Sequence, residues 1–344
     1  ANANLGTIFN DQGRLEEAEI YLRKAIKLDP DNGQYHLNLS HLLLKCKRFK
    51  EGWLEYAWRF TVKNAKALML NTTKKEWSLD KKGRVLLWAE QGIGDELMFL
   101  SLVPDLLEKV DSLIIKTDIR LIPLLERTYG SRIQLRNKIE IVDESEYDYH
   151  LPMGSLPRYF RSSLKSFEEA KEFKLEVDQE KTNRLRSKLL DQTAKKIVGI
   201  SWDTINQLND SSILLEEFIL GLYTPGIRFV CLQYGEVGEQ IKYIREKHNI
   251  DICEVEEIDK FNDLDGLAAL ISACDEVVTI ENLNIFLANA VGINTNIVLS
   301  KRSWWLFGID EKQNYWFPFF QLFRQSSFGD WKEPLEQIKN KFII

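Results

Sequence analysis

Asp95 and Glu96 follow two glycines, Gly92 and Gly94, just after an apolar run, Val85–Trp88. The run reads as a buried strand, and the residues after Asp95 read as an apolar-periodic helix ending near Lys109. A carboxylate at the carboxyl end of such a strand lies where doubly wound α/β folds place their chemistry. The glycines predict a tight turn with backbone N–H groups exposed at a helix N-terminus, a place that favours anions. Gln91, Gly92, Ile93, Gly94 and Glu96 are the loop residues concerned. Two readings of Asp95 stand side by side, a catalytic carboxylate and a plain helix N-cap. His150 lies in Asp148–Pro152, ahead of the Met153–Pro157 loop, and as the lone histidine of this block it reads first as a structural hydrogen-bonder.

The elements that must hold these groups alternate along the chain. After the opening strand, Ser112–Thr117 reads as a strand, Asp118–Tyr129 as a helix and 134–142 as a third strand. Asp148–Pro152 leads into a loop, Met153–Pro157, and residues 162–194 are charged and helical. A second block starts at Lys196. Strands are expected at Ile197–Trp202, Phe229–Gln233, Glu276–Thr279 and a last one at Asn296–Ser300, with helices between them. The aromatic tail, 304–320, is dense but not periodic and reads as packing. Trp331–Ile343 reads as a closing amphipathic helix. Two such blocks predict two parallel-sheet domains facing across a cleft.

Residues 1–60 repeat with a period of about 34 residues. Leu5, Gly6, Phe9, Ala18 and Leu22 correspond to Leu39, Ser40, Leu43, Gly52 and Tyr56. The small residues predict closely packed helix pairs, and Asp29–Gly33 is a turn. Since about three repeats are needed for an independent stack, more repeats are expected before Ala1, and the chain reads as part of a longer one. Residues 61–83 form a polar connector that Trp77 pins to a domain.

With 44% hydrophobic residues the composition is that of a globular protein. A formal net charge of −6 with no basic stripe argues against nucleic-acid binding. Four cysteines, Cys46, Cys231, Cys253 and Cys274, lack metal-ligand spacing; the last three read as buried thiols in a reducing compartment. No apolar run approaches the roughly 20 residues of a membrane span and no signal peptide is evident, so a cytoplasmic location is expected.

Several segments carry a resemblance to a known family. They are Glu51–Phe60, Ala89–Asp95 with Pro104, Val198–Trp202, Leu232-Gln233, Asp265–Ile271 before Cys274-Asp275, Leu287–Gly292, Trp316–Pro318, Leu322–Gln325 and Gly329–Trp331. With the helical repeats before them, they resemble bacterial proteins that join tetratricopeptide repeats to a heptosyltransferase-like glycosyltransferase of family nine. O-linked N-acetylglucosamine transferases are more distantly similar. The resemblance implies an α/β fold of two Rossmann-like domains, the GT-B type, preceded by a short all-α repeat segment. It divides the chain into repeats at 1–62, a connector at 63–83, an acceptor-side domain at 84–194, a donor-side domain at 195–329 and a closing helix at 330–344. It implies a nucleotide-diphosphate sugar as donor, a protein or glycan as acceptor, and no metal or resident cofactor. Asp95 becomes the general base of an inverting transfer, with Glu96 the weaker candidate. The donor would meet Trp202, Gln233, Glu281, Asn282, Leu283, Asn284, Lys301, Arg302 and Arg324. The repeats would bind a protein partner.

The chain departs from its relatives at the donor side. Where they carry Arg and other basic residues after the second block's first strand, this chain has Asp203–Asp210 with none. An acidic loop beside a diphosphate costs Coulombic energy. Where they carry a histidine near the small-residue helix, this chain has Phe286, which neither donates to phosphate nor titrates. Two function classes therefore remain: a sugar transferase working from Asp95, and a catalytically degenerate member that acts as a repeat-based protein-binding module. A dinucleotide-dependent oxidoreductase is disfavoured, because Gly92-Ile-Gly94 lacks the third glycine of that fingerprint.

Overall fold

The computed structural model describes residues 1–63, 69–190, 195–204 and 212–343. The chain folds into two compact units. One comprises residues 1–118, 131–173 and 304–311, the other 119–130, 174–303 and 312–344.

The first unit opens on four helices, α1 (Asn2–Asp11), α2 (Leu15–Leu28), α3 (Gly33–Lys45) and α4 (Phe49–Tyr56). Ala18, Leu22, Leu39, Leu42 and Leu43 form their shared core. A methyl group on Gly6 would sit 2.6 Å from Leu22, and one on Gly52 2.7 Å from Leu44, so the helix pairs approach as the small residues predict. A 3₁₀ turn, Ala57–Thr61, extends α4.

The chain then runs through β1 (Lys75–Glu76), β2 (Arg84–Trp88), α5 (Ile93–Leu100), α6 (Val103–Leu107), β3 (Ser112–Thr117) and α7 (Ile122–Tyr129), the last of which belongs to the second unit. It continues with β4 (Gln134–Asn137), β5 (Tyr149–Pro152), α8 (Leu156–Phe160) and α9 (Lys165–Glu168). The first sheet is all parallel in the order β1-β5-β2-β3-β4. Trp77 is fully buried and its N–H donates to the His150 carbonyl at 2.8 Å, which holds the connector as a short edge strand.

Elements of the second unit follow: α10 (Gln179–Leu189), β6 (Lys196–Ser201), α11 (Leu215–Leu222), β7 (Ile227–Cys231), α12 (Gly238–His248) and β8 (Ile252–Cys253). After them come α13 (Leu264–Ser272), β9 (Glu276–Thr279), α14 (Leu283–Ala290), β10 (Thr295–Leu299), β11 (Phe320–Arg324) and α15 (Lys332–Ile343). Its sheet is also parallel, in the order β11-β10-β9-β6-β7-β8. A core of Val198, Ile200, Phe218, Phe229, Val278 and Val298 is capped by Trp331, Leu335 and Ile338 of the closing segment.

Several elements differ from their sequence reading. The helix after Asp95 breaks at Ser101, whose hydroxyl bonds back to the Met98 carbonyl at 2.5 Å, and Pro104, in the first turn of α6, brings no N–H. The third strand stops at Asn137, where Asn137 and Glu140 close a turn, and Ile139 and Ile141 point into solvent. The helix expected over 118–129 begins with a 3₁₀ turn and becomes α7 only at Ile122. Within the charged stretch 162–194, expected to be helical, the described residues form only the single turn α9 and the helix over 179–189. Asn296–Ser300 is not the last strand, because the aromatic tail ends in β11 beside β10. Cys253 is half-buried, whereas Cys231 and Cys274 are buried as expected.

Candidate functional site

In each sheet the chain steps outward on one side of a central strand and then returns to the other side. The connections that leave the two central neighbours therefore part at their carboxyl ends, the place where doubly wound folds bind their ligands. In the first sheet that point lies between β2 and β5, in the second between β6 and β9. The sequence-predicted residues divide between these two places.

At the first, α5 begins behind Gly92, and Asp95 is its third residue. Asp95 is not the N-cap. Gly92 holds that position, and the Asp95 carboxylate lies near its backbone. Neither Gly92 nor Gly94 has a positive φ, so no left-handed turn is required of them. Burial, followed by the neighbouring carboxylates of Glu90 and Glu96, pushes the Asp95 carboxyl up to about 7. Its residue surface nevertheless stays partly open. A part-exposed carboxyl poised near neutrality fits a proton acceptor.

Glu96 has another role. It is 1% exposed and accepts the Thr117 hydroxyl at 2.6 Å and the Asp118 N–H at 2.8 Å, with Lys138 3.4 Å away. These bonds tie α5 to the end of β3. Gln91 accepts the Tyr56 hydroxyl at 2.9 Å and donates to Glu90 at 3.3 Å. His150 accepts the Trp88 indole N–H at 3.2 Å, and burial depresses its pKa, so it is a neutral structural acceptor.

Sequence reasoning left out the residue at the centre of this network. Glu90 is buried, and its Oε1 accepts from Arg59 Nη2 at 2.8 Å, Arg59 Nε at 3.1 Å and the Gly154 N–H at 3.0 Å. Arg59 also donates to Ser155 at 3.0 Å. A Cβ on Gly154 would lie 2.6 Å from both Glu90 and Gln91, so only glycine fits there. The available signal was the adjacency of Glu90 to the glycine turn and of Arg59 to the repeat end.

At the second place, Gln233 Oε1 accepts the Ser201 hydroxyl at 2.8 Å, the Trp202 N–H at 3.0 Å and the Asp203 N–H at 2.9 Å. Asn282 caps α14 by accepting the Asn284 N–H at 3.0 Å, and it donates to Ser201 at 2.8 Å. Asn284 is buried, and its Oδ1 has no hydrogen-bond partner among the described residues. Trp202 is buried, while Glu281 and Leu283 are half-buried beside the cap. The structure thus gathers Trp202, Gln233, Asn282 and Asn284, with Ser201 as the member not foreseen.

The basic candidates are not brought here. Lys301 and Arg302 are exposed and lie over the Phe328 ring at 5.7 and 5.3 Å. Arg324 ends β11, two strands beyond β9, and bonds the Ser303 hydroxyl at 2.8 Å. Phe286 is buried against Phe317 and Phe320. Most of the acidic 203–210 stretch lies outside the described residues.

A tetratricopeptide repeat model matches residues 1–32. The fold is shared with a glycosyl transferase family 9 protein from Veillonella parvula, at 12% identity and a TM-score of 0.50, over 78% of this chain and 97% of that one. It is shared equally with the ADP-heptose lps heptosyltransferase II of E. coli, at 13% identity and a TM-score of 0.51, over 76% and 98% of the two chains. The chain opens on a tetratricopeptide repeat and carries the glycosyltransferase family 9 fold. Protein FlbA of Caulobacter vibrioides is 29% identical over 86% of the chain, which spans 53% of that protein's length. Within the family 9 fold, the Asp95 and Asn282 networks sit at the two switch points. No described helix is long and apolar enough to cross a membrane.

Proposed function

We propose that this chain is an inverting, metal-independent sugar transferase with Asp95 as its general base. The carrying observation is a part-exposed carboxyl at the β2–β5 switch point, pushed up to about 7. Asp95 takes the proton of an acceptor hydroxyl as that oxygen attacks the anomeric carbon of a nucleotide-diphosphate sugar. The new C–O bond forms on the face opposite the breaking one, and the diphosphate leaves with the bonding electrons. Ser201, Gln233, Asn282 and the start of α14 make up the donor side, where backbone N–H groups favour the departing charge. A protein or glycan hydroxyl is the acceptor, and the helical repeat engages the acceptor protein.

A second reading has an observation of its own. The Ser201–Asn282 network is built of hydroxyls, carboxamides and backbone, and Lys301, Arg302 and Arg324 have other partners. A donor site short of cations favours a binding module whose cleft has lost its chemistry.

Calorimetric titration with a panel of nucleotide diphosphates and their sugars separates the two. A micromolar dissociation constant, about 8 kcal/mol of binding, supports the transferase. Asp95→Asn should then keep donor affinity and lose transfer. Heat-silent titrations across the whole panel sink the transferase reading in favour of the binding module.

A further inference from the structure

The second helical repeat does more than pack beside the first sheet. Its terminal residues reach the loops that carry Asp95. Tyr56 ends α4 and hydrogen-bonds Gln91, one residue before the α5 N-cap, at 2.9 Å. Arg59 lies in the following 3₁₀ turn, 8% exposed, between the Tyr56 and Phe60 rings at 5.0 and 4.2 Å. Its guanidinium clamps Glu90 from the β2 loop and Ser155 from the β5 loop, while Glu90 also takes the Gly154 N–H. One arginine therefore fixes both connections that part at the switch point. Glu90 Oε2 is buried with no hydrogen-bond partner among the described residues, and Arg59 is the cation paired with this carboxylate. Trp53, fully buried, anchors the same helix by donating to the Arg161 carbonyl at 2.7 Å.

We propose that Arg59 and Tyr56 of the second repeat are positioning residues of the Asp95 site, acting through Glu90 and Gln91. The proposal rests on Asp95 being the reactive carboxylate. A repeat that only capped the domain would need apolar contact, not a buried guanidinium spent on the site loop. The clamp sets the distance between Glu90 and Asp95, and with it the repulsion that adds to burial in holding the Asp95 proton. The charged and titratable groups around Asp95 are Glu90, Arg59 and Tyr56 on one side, and Glu96 with its partners Lys138 and Asp118 on the other. His41 of α3, whose ring lies 6.3 Å from that of Tyr56, is driven by burial down to about 4 and stays neutral.

The test uses the whole chain and reads two signals that do not depend on turnover. The first is amide hydrogen exchange of segments 89–96 and 153–155. The second is the Asp95 titration, followed by carboxyl carbon NMR of aspartate-labelled protein and assigned with Asp95→Asn. Tyr56→Phe and Arg59→Met should speed exchange in both segments at least tenfold, and Arg59→Lys should recover most of the protection. Glu90→Gln keeps the Oε1 acceptor but removes its charge, so exchange should hold while the Asp95 pKa falls by a unit or more. If Arg59→Met does not fold, Tyr56→Phe and Glu90→Gln decide. Unchanged exchange in folded Tyr56→Phe, with an unmoved Asp95 titration in Glu90→Gln, overturns the proposal. Both signals responding in a chain that binds no nucleotide sugar would leave the clamp standing and remove the transferase reading instead. In a chain that does transfer, Arg59→Met should lower kcat while the donor KM holds.

Discussion

An aspartate that keeps its proton to about pH 7 makes the folded chain less stable as pH rises. Unfolded, the same carboxyl ionises near 3.9. Below that value both states hold the proton and nothing differs. Between about 4 and 7 the unfolded state has released it and the folded state has not, so stability falls, and above 7 the loss is complete. Asp95→Asn should therefore flatten this part of the stability profile and raise the unfolding midpoint at pH 8, as measured by denaturant titration across pH. An unchanged profile would mean that the carboxyl is not held near neutrality. With Asp95 as the proposed general base, the same ionisation would govern transfer, so kcat/KM should rise with pH through about 7. Gly154 offers a steric counterpart, since its missing Cβ leaves room for Glu90 and Gln91. Gly154→Ala should cost about 1–3 kcal/mol by overpacking, read from the urea midpoint.

Among the elements, those with clean periodicity were legible in the sequence and those set by pairing were not. β2, β3, β6 and β9 announce themselves as apolar runs buried on both faces. β11 was hidden because Phe317 and Phe319 blur the alternation of Phe320 and Leu322, and its register comes from β10 rather than from its own pattern. β5 is four residues long and partly exposed, and it exists as a strand because β1 and β2 flank it. The place of Asp95 in the first turn of α5 was legible, since glycines after a strand mark a helix start. Arg59 and Glu90 were not, because a buried ion pair formed across 31 residues leaves no spacing signature. The helical repeat belongs with the first sheet for the same reason. Trp53 of α4 meets Tyr56 and Trp305 edge-on and is 2% exposed. Trp53→Ala should cost about 3–5 kcal/mol, seen as a lowered guanidinium midpoint. A loss below about 1 kcal/mol would show that the repeat is only loosely joined to that unit.

On the scale of the whole molecule, the two sheets each contribute one switch point, and their networks differ in kind. The first is charged, with Arg59, Glu90, Glu96, Lys138 and Asp95 closely packed. The second is neutral, built on Ser201, Gln233, Asn282 and Asn284. A nucleotide diphosphate is repelled by uncompensated carboxylates and attracted by exposed backbone N–H groups. Binding should therefore be confined to the second unit. At a hundredfold excess over the dissociation constant, a ligand that binds only the folded state stabilises it by about 2.7 kcal/mol. Hydrogen exchange with a saturating nucleotide diphosphate should slow near residues 201–204, 232–234 and 282–285, while 89–96 and 153–155 keep their free-state rates. Protection that appeared instead around Asp95 would place the anion at the carboxylate site and reverse the assignment of donor and acceptor sides.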